Sequence, residues 1–258
     1  MGRHLRLLSI KTYFGIPIIA SKGNSMLMKK NLFLTSFILL TCVSGLWAGD
    51  LASFVDLGFS PDGRTYMFGQ YGVQLQSLKP WAELYVVDVN SNNFVQNGKV
   101  SYVHNTPIRA GQDGSGVFYR LISGNSNLAN NYGITFQNQG LPLYISRNEN
   151  PSAYGERIDF RDFISGNSYT AELVPSITGS GQNTRSSFYI RLERRSPSGQ
   201  SRSYTVGSPG VIRPLIVSYN IKRVLIDPQG SSIIFVIEMK RLAEDGYDIR
   251  YMIEAQRL

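Results

Sequence analysis

Hydrophobic and polar positions along much of this chain follow the period of two that a half-buried strand requires. In the cleanest case Phe188, Ile190 and Leu192 alternate with Tyr189, Arg191 and Glu193, giving one buried face and one wet face. The loop Arg194-Arg195-Ser196-Pro197-Ser198-Gly199-Gln200 then leads to Tyr204-Thr205-Val206, so residues 187–206 read as a hairpin. Nearer the start, residues 54–59 form an apolar strand that meets the turn Phe59-Ser60-Pro61-Asp62-Gly63. Proline presets φ in such a turn, aspartate bonds its own backbone and glycine accepts positive φ. Residues 65–68 give a second strand and residues 83–89 a third, closed by Asn90-Ser91-Asn92-Asn93, and the three read as antiparallel. Further strands are expected at 141–145, where Pro142 suits a sheet edge, at 169–174, at 212–226 with a break at Pro214, and at 233–239.

One stretch has helical spacing. Val117, Phe118, Leu121, Ile122 and Leu128 fall on one face, with Asp113 or Ser115 as N-cap, Gly124 interrupting the face and Gly133 as C-cap. Short apolar runs between Gly, Asn, Ser and Pro clusters predict a mainly β fold. We expect antiparallel sheets, sandwich-like or partial propeller-like, with one short helix. The end of the chain repeats its beginning. Ile226-Asp227-Pro228-Gln229-Gly230 followed by Ile233-Ile234-Phe235 overlays on Phe59-Ser60-Pro61-Asp62-Gly63 followed by Tyr66-Met67-Phe68, and residues 248–254 overlay on 83–89. Two matched three-stranded units are therefore expected, as neighbours in space.

A leader precedes this body. Met26-Leu27-Met28-Lys29-Lys30 is a short basic segment, and residues 32–43 form an apolar run. A bilayer-spanning helix needs about 20 apolar residues, and this run is shorter. It breaks into Ser44-Gly45-Leu46-Trp47-Ala48-Gly49-Asp50, where small Ala48 suits signal-peptidase cleavage and Leu46 is bulkier than usual at −3. Residues 26–48 read as a signal peptide, 50–258 as a single β-rich domain and 1–25 as a non-native upstream extension, with translation starting at Met26 or Met28. A retained membrane anchor is the alternative to cleavage.

The leader changes the reading of charge. The formal charge is +8, but residues 1–48 hold Arg3, Arg6, Lys11, Lys22, Lys29 and Lys30 and no acidic residue, which leaves 20 basic against 18 acidic residues beyond them. A nearly neutral body removes the electrostatic case for nucleic acid. Cys42, the single cysteine, lies in Leu39-Leu40-Thr41-Cys42, which resembles the box at which bacterial lipoproteins attach lipid, with Thr41 where Gly, Ala or Ser is expected. The simpler reading makes it one more small apolar residue of the run. Either way the body contains no disulfide and depends on packing.

Most catalytic chemistries lack their residues. His104 is the body's only histidine, Gly114-Ser115-Gly116 has no strand before it, zinc ligands are too few, and no phosphate loop or dinucleotide fingerprint occurs, so no cofactor is expected. Paired carboxylates remain, from Asp56, Asp62, Glu83 and Asp88 at one end and Asp227, Asp245, Asp248 and Glu254 at the other. Two of them would have to lie about 5–10 Å apart in a cleft, and the plainer reading makes them turn formers and strand ends. Two groups suit binding. Arg191, Arg194, Arg195 and Arg202 are candidates for an anionic partner, either lipid headgroups or an acidic face of an envelope protein, against a solvated rim countered by Glu193. Tyr66, Tyr71, Trp81 and Tyr85 are candidates for an aromatic platform for sugar or peptide, against core packing.

Two resemblances follow from these residues. Ser60-Pro61-Asp62-Gly63, Met67-Phe68 and residues 83–88 resemble a blade of the Tol-type periplasmic propellers, although a propeller needs at least about four blades and two such units are found. The whole body resembles a bacterial family of predicted secreted proteins, domain of unknown function 2259. That likeness is carried by residues 54–63, 82–89, Val206-Gly207-Ser208-Pro209-Gly210, 219–223, Asp227-Pro228-Gln229-Gly230 and Phe235-Val236-Ile237-Glu238. It implies export and a β-rich fold and brings no activity or functional residue. The expected function is a non-enzymatic binding or structural module of the periplasm or cell surface, with a carboxylate-dependent hydrolase as the alternative. Intact-mass measurement of the exported protein is expected to find a chain beginning at Gly49. Acyl chains on Cys42, or an uncleaved leader, would contradict that processing.

Overall fold

The computed structural model describes residues 49–109, 111–147, 155–244 and 246–258; the segment read as a signal peptide, with Cys42, and Asp245 lie outside the described residues. Ser53–Phe59 (β1), Thr65–Val73 (β2), Pro80–Asp88 (β3) and Asn93–Val103 (β4) pair in chain order as the first antiparallel sheet. Ser115–Gly124 (α1) and Ser126–Asn130 (α2) follow, and then Leu141–Ile145 (β5). The second sheet consists of Glu156–Arg161 (β6), Ser168–Thr178 (β7) and Arg185–Arg195 (β8), whose outer edge is shared by Ser201–Val206 (β9) and Arg213–Pro214 (β10). The third comprises Ile216–Ile226 (β11), Ser232–Ala243 (β12) and Gly246–Arg257 (β13), in the order β13-β12-β11-β5. The fold is thus mainly β and antiparallel, as the alternation predicts.

The third sheet is the middle layer. Along β12, Ile233, Phe235 and Ile237 enter the core shared with the second sheet, while Ile234 and Val236 enter the core shared with the first. None of the five exposes any surface. Coverage on both faces explains why this strand reads as an unbroken apolar run rather than an alternation. The far face of the first sheet is covered by α1, whose Phe118 and Leu121 pack on Leu57, Met67 and Leu84. Phe118 packs directly against the backbone of Gly69, where an added Cβ would come within 2.4 Å of its ring. The helical face ends early because Asn125 turns its Nδ2 onto the Leu121 carbonyl (2.8 Å), separating α1 from the single turn of α2.

The repeated turns are equivalent in detail. Phe59 pairs with Tyr66 across the first and Ile226 with Ile233 across the second, and the glycine N–H closes each turn onto the carbonyl of Ser60 or Asp227 at 2.9 Å. Ser60 Oγ accepts the N–H of Thr65 (2.9 Å), and Asp227 Oδ1 likewise accepts the N–H of Ser232. The two turns also touch, since Ser232 Oγ donates to the Gly63 carbonyl (2.7 Å) and Arg257 Nη1 to that of Asp62 (3.0 Å).

One register differs from the sequence overlay. Gln70 pairs with Glu83 and its counterpart Ile237 pairs with Met252, so Met252, not Asp248, is the equivalent of Glu83. The overlay matched acidic residues at the strand starts, whereas the ladders are counted outward from the turns, and the β12–β13 ladder is longer.

Asp227 is fully buried and holds the N–H groups of both Ser231 and Ser232. Asp227→Ala is therefore expected to lower stability in urea unfolding by about 2–4 kcal/mol, and Ser60→Ala, which removes one such bond, by about 1 kcal/mol. Equal losses at the two positions would contradict this account.

Candidate functional site: the cleft along the edge of β13

Strand β13 has a ladder partner on one side only, and its other edge must be satisfied by other means. The first sheet, its β3–β4 turn and the chain entering β1 supply them. The N–H of Ile249 donates to the Asp50 carbonyl (2.8 Å), that of Tyr251 to Gln70 Oε1 (2.8 Å) and that of Ala255 to Asn92 Oδ1 (2.7 Å). Between these anchors the edge faces a cleft of about 910 Å³. The β3–β4 hairpin forms one wall with Tyr85, Phe94 and Lys99, and the chain entering β10 forms the other with Val211 and Arg213.

Glu254 is the most deeply placed charge in the cleft, its side chain 6% exposed. Asn92 Nδ2 donates to its Oε2 and Arg213 Nη2 lies 3.4 Å from its Oε1. A Cβ on Gly207, where φ is +83°, would come within 3.0 Å of the carboxyl carbon, so bare backbone closes over the group. Burial pushes the Glu254 carboxyl above its ordinary pKa, and the Asn92 bond and the Arg213 charge only partly oppose it. Glu83 is occupied in another way: its Oε2 accepts Tyr85 Oη (2.6 Å) and Gln70 Nε2 (2.8 Å). Burial first, then the Glu83 charge, pushes the Tyr85 hydroxyl upward, and burial followed by Glu238 takes Tyr251 up to about 12.

The aromatic candidates are dispersed. Tyr66 is fully buried against Phe59 (centroids 4.6 Å), Tyr71 packs on Phe118 on the opposite face (5.3 Å), and Trp81 is buried beneath the Arg250 guanidinium (4.1 Å). Tyr85 alone of the four lines the cleft, stacked between Phe68 (4.8 Å) and Phe94 (5.4 Å). The arginine candidates divide between two faces of the second sheet. Arg191 pairs with Glu172 (2.9 Å) and Arg195 with Glu193 (3.6 Å) on the outer face, while Arg194 and Arg202 are cross-strand partners on the other. His104 Nδ1 accepts the N–H of Thr106 (3.0 Å), a loop cap.

The remaining carboxylates bind backbone N–H groups, some local and some distant in the chain. Asp56 accepts the N–H groups of Gly58 and Gly140, Asp88 that of Ser91, and Asp248 that of Asp50. Asn92, Phe94 and Lys99 come from the β3–β4 hairpin, whose turn the sequence marks, but nothing local marks their meeting with Arg213 of β10 and Glu254 of β13 to complete the cleft.

Glu254 supplies a pH test. A folded pKa raised above 4.5 means that the folded state holds its proton where the unfolded state has released it, so ionising Glu254 costs stability as pH rises through that window. Glu254→Gln is neutral throughout and is expected to gain on the wild type, in urea unfolding, as pH rises from about 5 to about 7. A stability difference that stays constant across that range would contradict the assignment.

No curated protein matches the chain. Among the described residues no helix is long and apolar enough to cross a membrane. A family profile described as "predicted secreted protein" matches residues 67–257, which covers the second and third sheets and the first sheet from within β2 onward. The chain therefore belongs to the family of predicted secreted proteins defined by domain of unknown function 2259.

Proposed function

We propose that this protein is a non-enzymatic binding module of the bacterial envelope, working on the periplasmic side after removal of its leader and taking its ligand in the cleft along β13. The observation that carries this reading is the division of labour in the cleft. Glu83 and Glu254 are held by internal hydrogen bonds, while the rim stays free for a ligand. Phe94 is 54% and Val211 50% exposed, and the exposed cations Lys99 and Arg241 stand beside them. A ligand with an apolar body and an anionic head suits this rim: the body between Phe94 and Val211, the head on Lys99 or Arg241.

The raised Glu254 carboxyl, with Glu83 in the same cleft, favours a hydrolase as the second reading. Against it, Glu83 Oε2 and both oxygens of Glu254 already have partners.

The probe 1-anilinonaphthalene-8-sulfonate combines an aromatic body with a sulfonate. It is expected to bind the exported protein saturably at one site, and Phe94→Ala and Lys99→Ala should each weaken it by about 5- to 10-fold. Unchanged titrations in both variants would overturn the cleft as the site. Turnover of ester or glycoside substrates that Glu254→Gln abolishes would favour the hydrolase.

A further inference from the structure

The most exposed large apolar side chains in the described structure are neighbours. Phe163 is 90% and Ile164 82% exposed, both in the short connection from β6 to β7. The turn that carries them is firmly built. Asp162, 5% exposed, accepts the N–H of Ile164 on Oδ1 (2.9 Å) and the hydroxyl of Ser165 on Oδ2. Its own N–H donates to the Asn167 carbonyl (2.9 Å), the N–H of Gly166 returns to its carbonyl (2.8 Å), and buried Asn167 donates from Nδ2 to Ser165 Oγ (2.8 Å). The polar side chains are drawn inward and the two apolar ones project, the reverse of the usual turn. Single exposed apolar residues are ordinary; an adjacent pair held out by a braced turn is not.

Cations gather around this tip. Arg161, Ser168, Arg195 and Ser201 form one cross-strand row at the end of the second sheet, and Phe160, Tyr169, Arg194 and Arg202 form the next. The first row places Arg161 and Arg195 on one face, the second Arg194 and Arg202 on the other, so arginines flank the tip from both sides. The β8–β9 connection lies alongside, with Pro197 Cγ only 3.1 Å from where a Gly166 Cβ would sit. Against these four charges stand Glu193, 3.6 Å from Arg195, Asp159, in the same cross-strand row as Glu193 and 4.0 Å from Arg157, and Asp162, buried within the turn.

We infer that the β6–β7 tip is a membrane-surface contact, in which Phe163 and Ile164 insert at the headgroup boundary of an anionic lipid leaflet and Arg161, Arg194, Arg195 and Arg202 meet its phosphates. Apolar side chains buried about 5–10 Å into the interface beneath a cationic collar are the general form of such contacts. A protein partner fits less well. Stable protein interfaces cover about 800 Å² on each side, whereas this tip offers two exposed apolar side chains. The contact is separate from the cleft. Thr205, the first β9 residue to line the cleft, lies three residues beyond Arg202, about 10 Å at strand rise, so with Arg202 held at the phosphates the cleft stays on the water side.

The test uses the full chain with phosphatidylcholine vesicles, with and without phosphatidylglycerol. Flotation with the anionic vesicles is expected and should weaken as salt rises. The pairs Phe163→Ser with Ile164→Ser, and Arg161→Gln with Arg195→Gln, should each reduce partitioning by about tenfold or more. All four sites are exposed, so the urea midpoint should not move. Because the leader is itself apolar, a local readout accompanies flotation: Phe163→Trp should be quenched by lipids brominated near the headgroup, above the background set by Trp47 and Trp81 in the wild type. No added quenching, or variants that float like the wild type, would overturn the contact, as would binding of the tip to an acidic protein with no affinity for vesicles.

Discussion

Five consecutive side chains, Ile233 to Ile237, have no contact with water, and the layering follows from that. A strand apolar on both faces must be covered twice, and each side chain left in water would forfeit about 1.5–3 kcal/mol. The first and second sheets are therefore drawn to opposite faces of the third. Neither flanking sheet continues the ladder beyond β13, so a notch remains between them along that edge. The cleft thus results from burying β12 twice.

An open strand edge invites pairing with another chain, and this protein closes the edge with backbone at Ile249 and with side chains further along. Gln70 and Asn92 each use the amide oxygen on a β13 N–H and the amide nitrogen on a carboxylate, Glu83 and Glu254 respectively. Each carboxylate fixes which way its amide points, so the polar residues of the cleft belong first to the sheet edge. This also explains why burying Glu254 is tolerated: its charge is met by an amide that must be present for structural reasons and by Arg213, itself stacked over Phe188 (4.9 Å).

What the sequence could convey depended on how local each determinant was. Strands β1, β2, β3, β8 and β9, the paired turns, the edge position of β5 and the helix were legible because alternation, Pro-Gly turns and 3.6-residue spacing act within a few residues. Strand β4 was not, because Asn97 and Gly98 interrupt it and Asn97 has a φ of +56°, a turn conformation inside a ladder. Strand β6 carries its pattern on two apolar residues, Ile158 and Phe160, among charges. The cleft was illegible for a different reason. Asn92, Arg213 and Glu254 meet across more than 160 positions of chain, and the aromatic group that composition suggested was divided by the pleat, since Tyr71 points away from Tyr66, Trp81 and Tyr85.

The same pleat gives the arginines of the second sheet their meaning. In sequence Arg191, Arg194, Arg195 and Arg202 look like one patch. In the ladder they alternate between faces, and Arg191 is set apart on the strand by its bond to Glu172. A flat cationic face is therefore excluded, and what remains is a cluster at the end of the sheet, where both faces terminate together. Charges on two faces of one sheet can engage a single planar surface only if that sheet meets it end-on. The end in question also carries the exposed Phe163-Ile164 pair, so the strand pleat and the turn specify the same direction of approach.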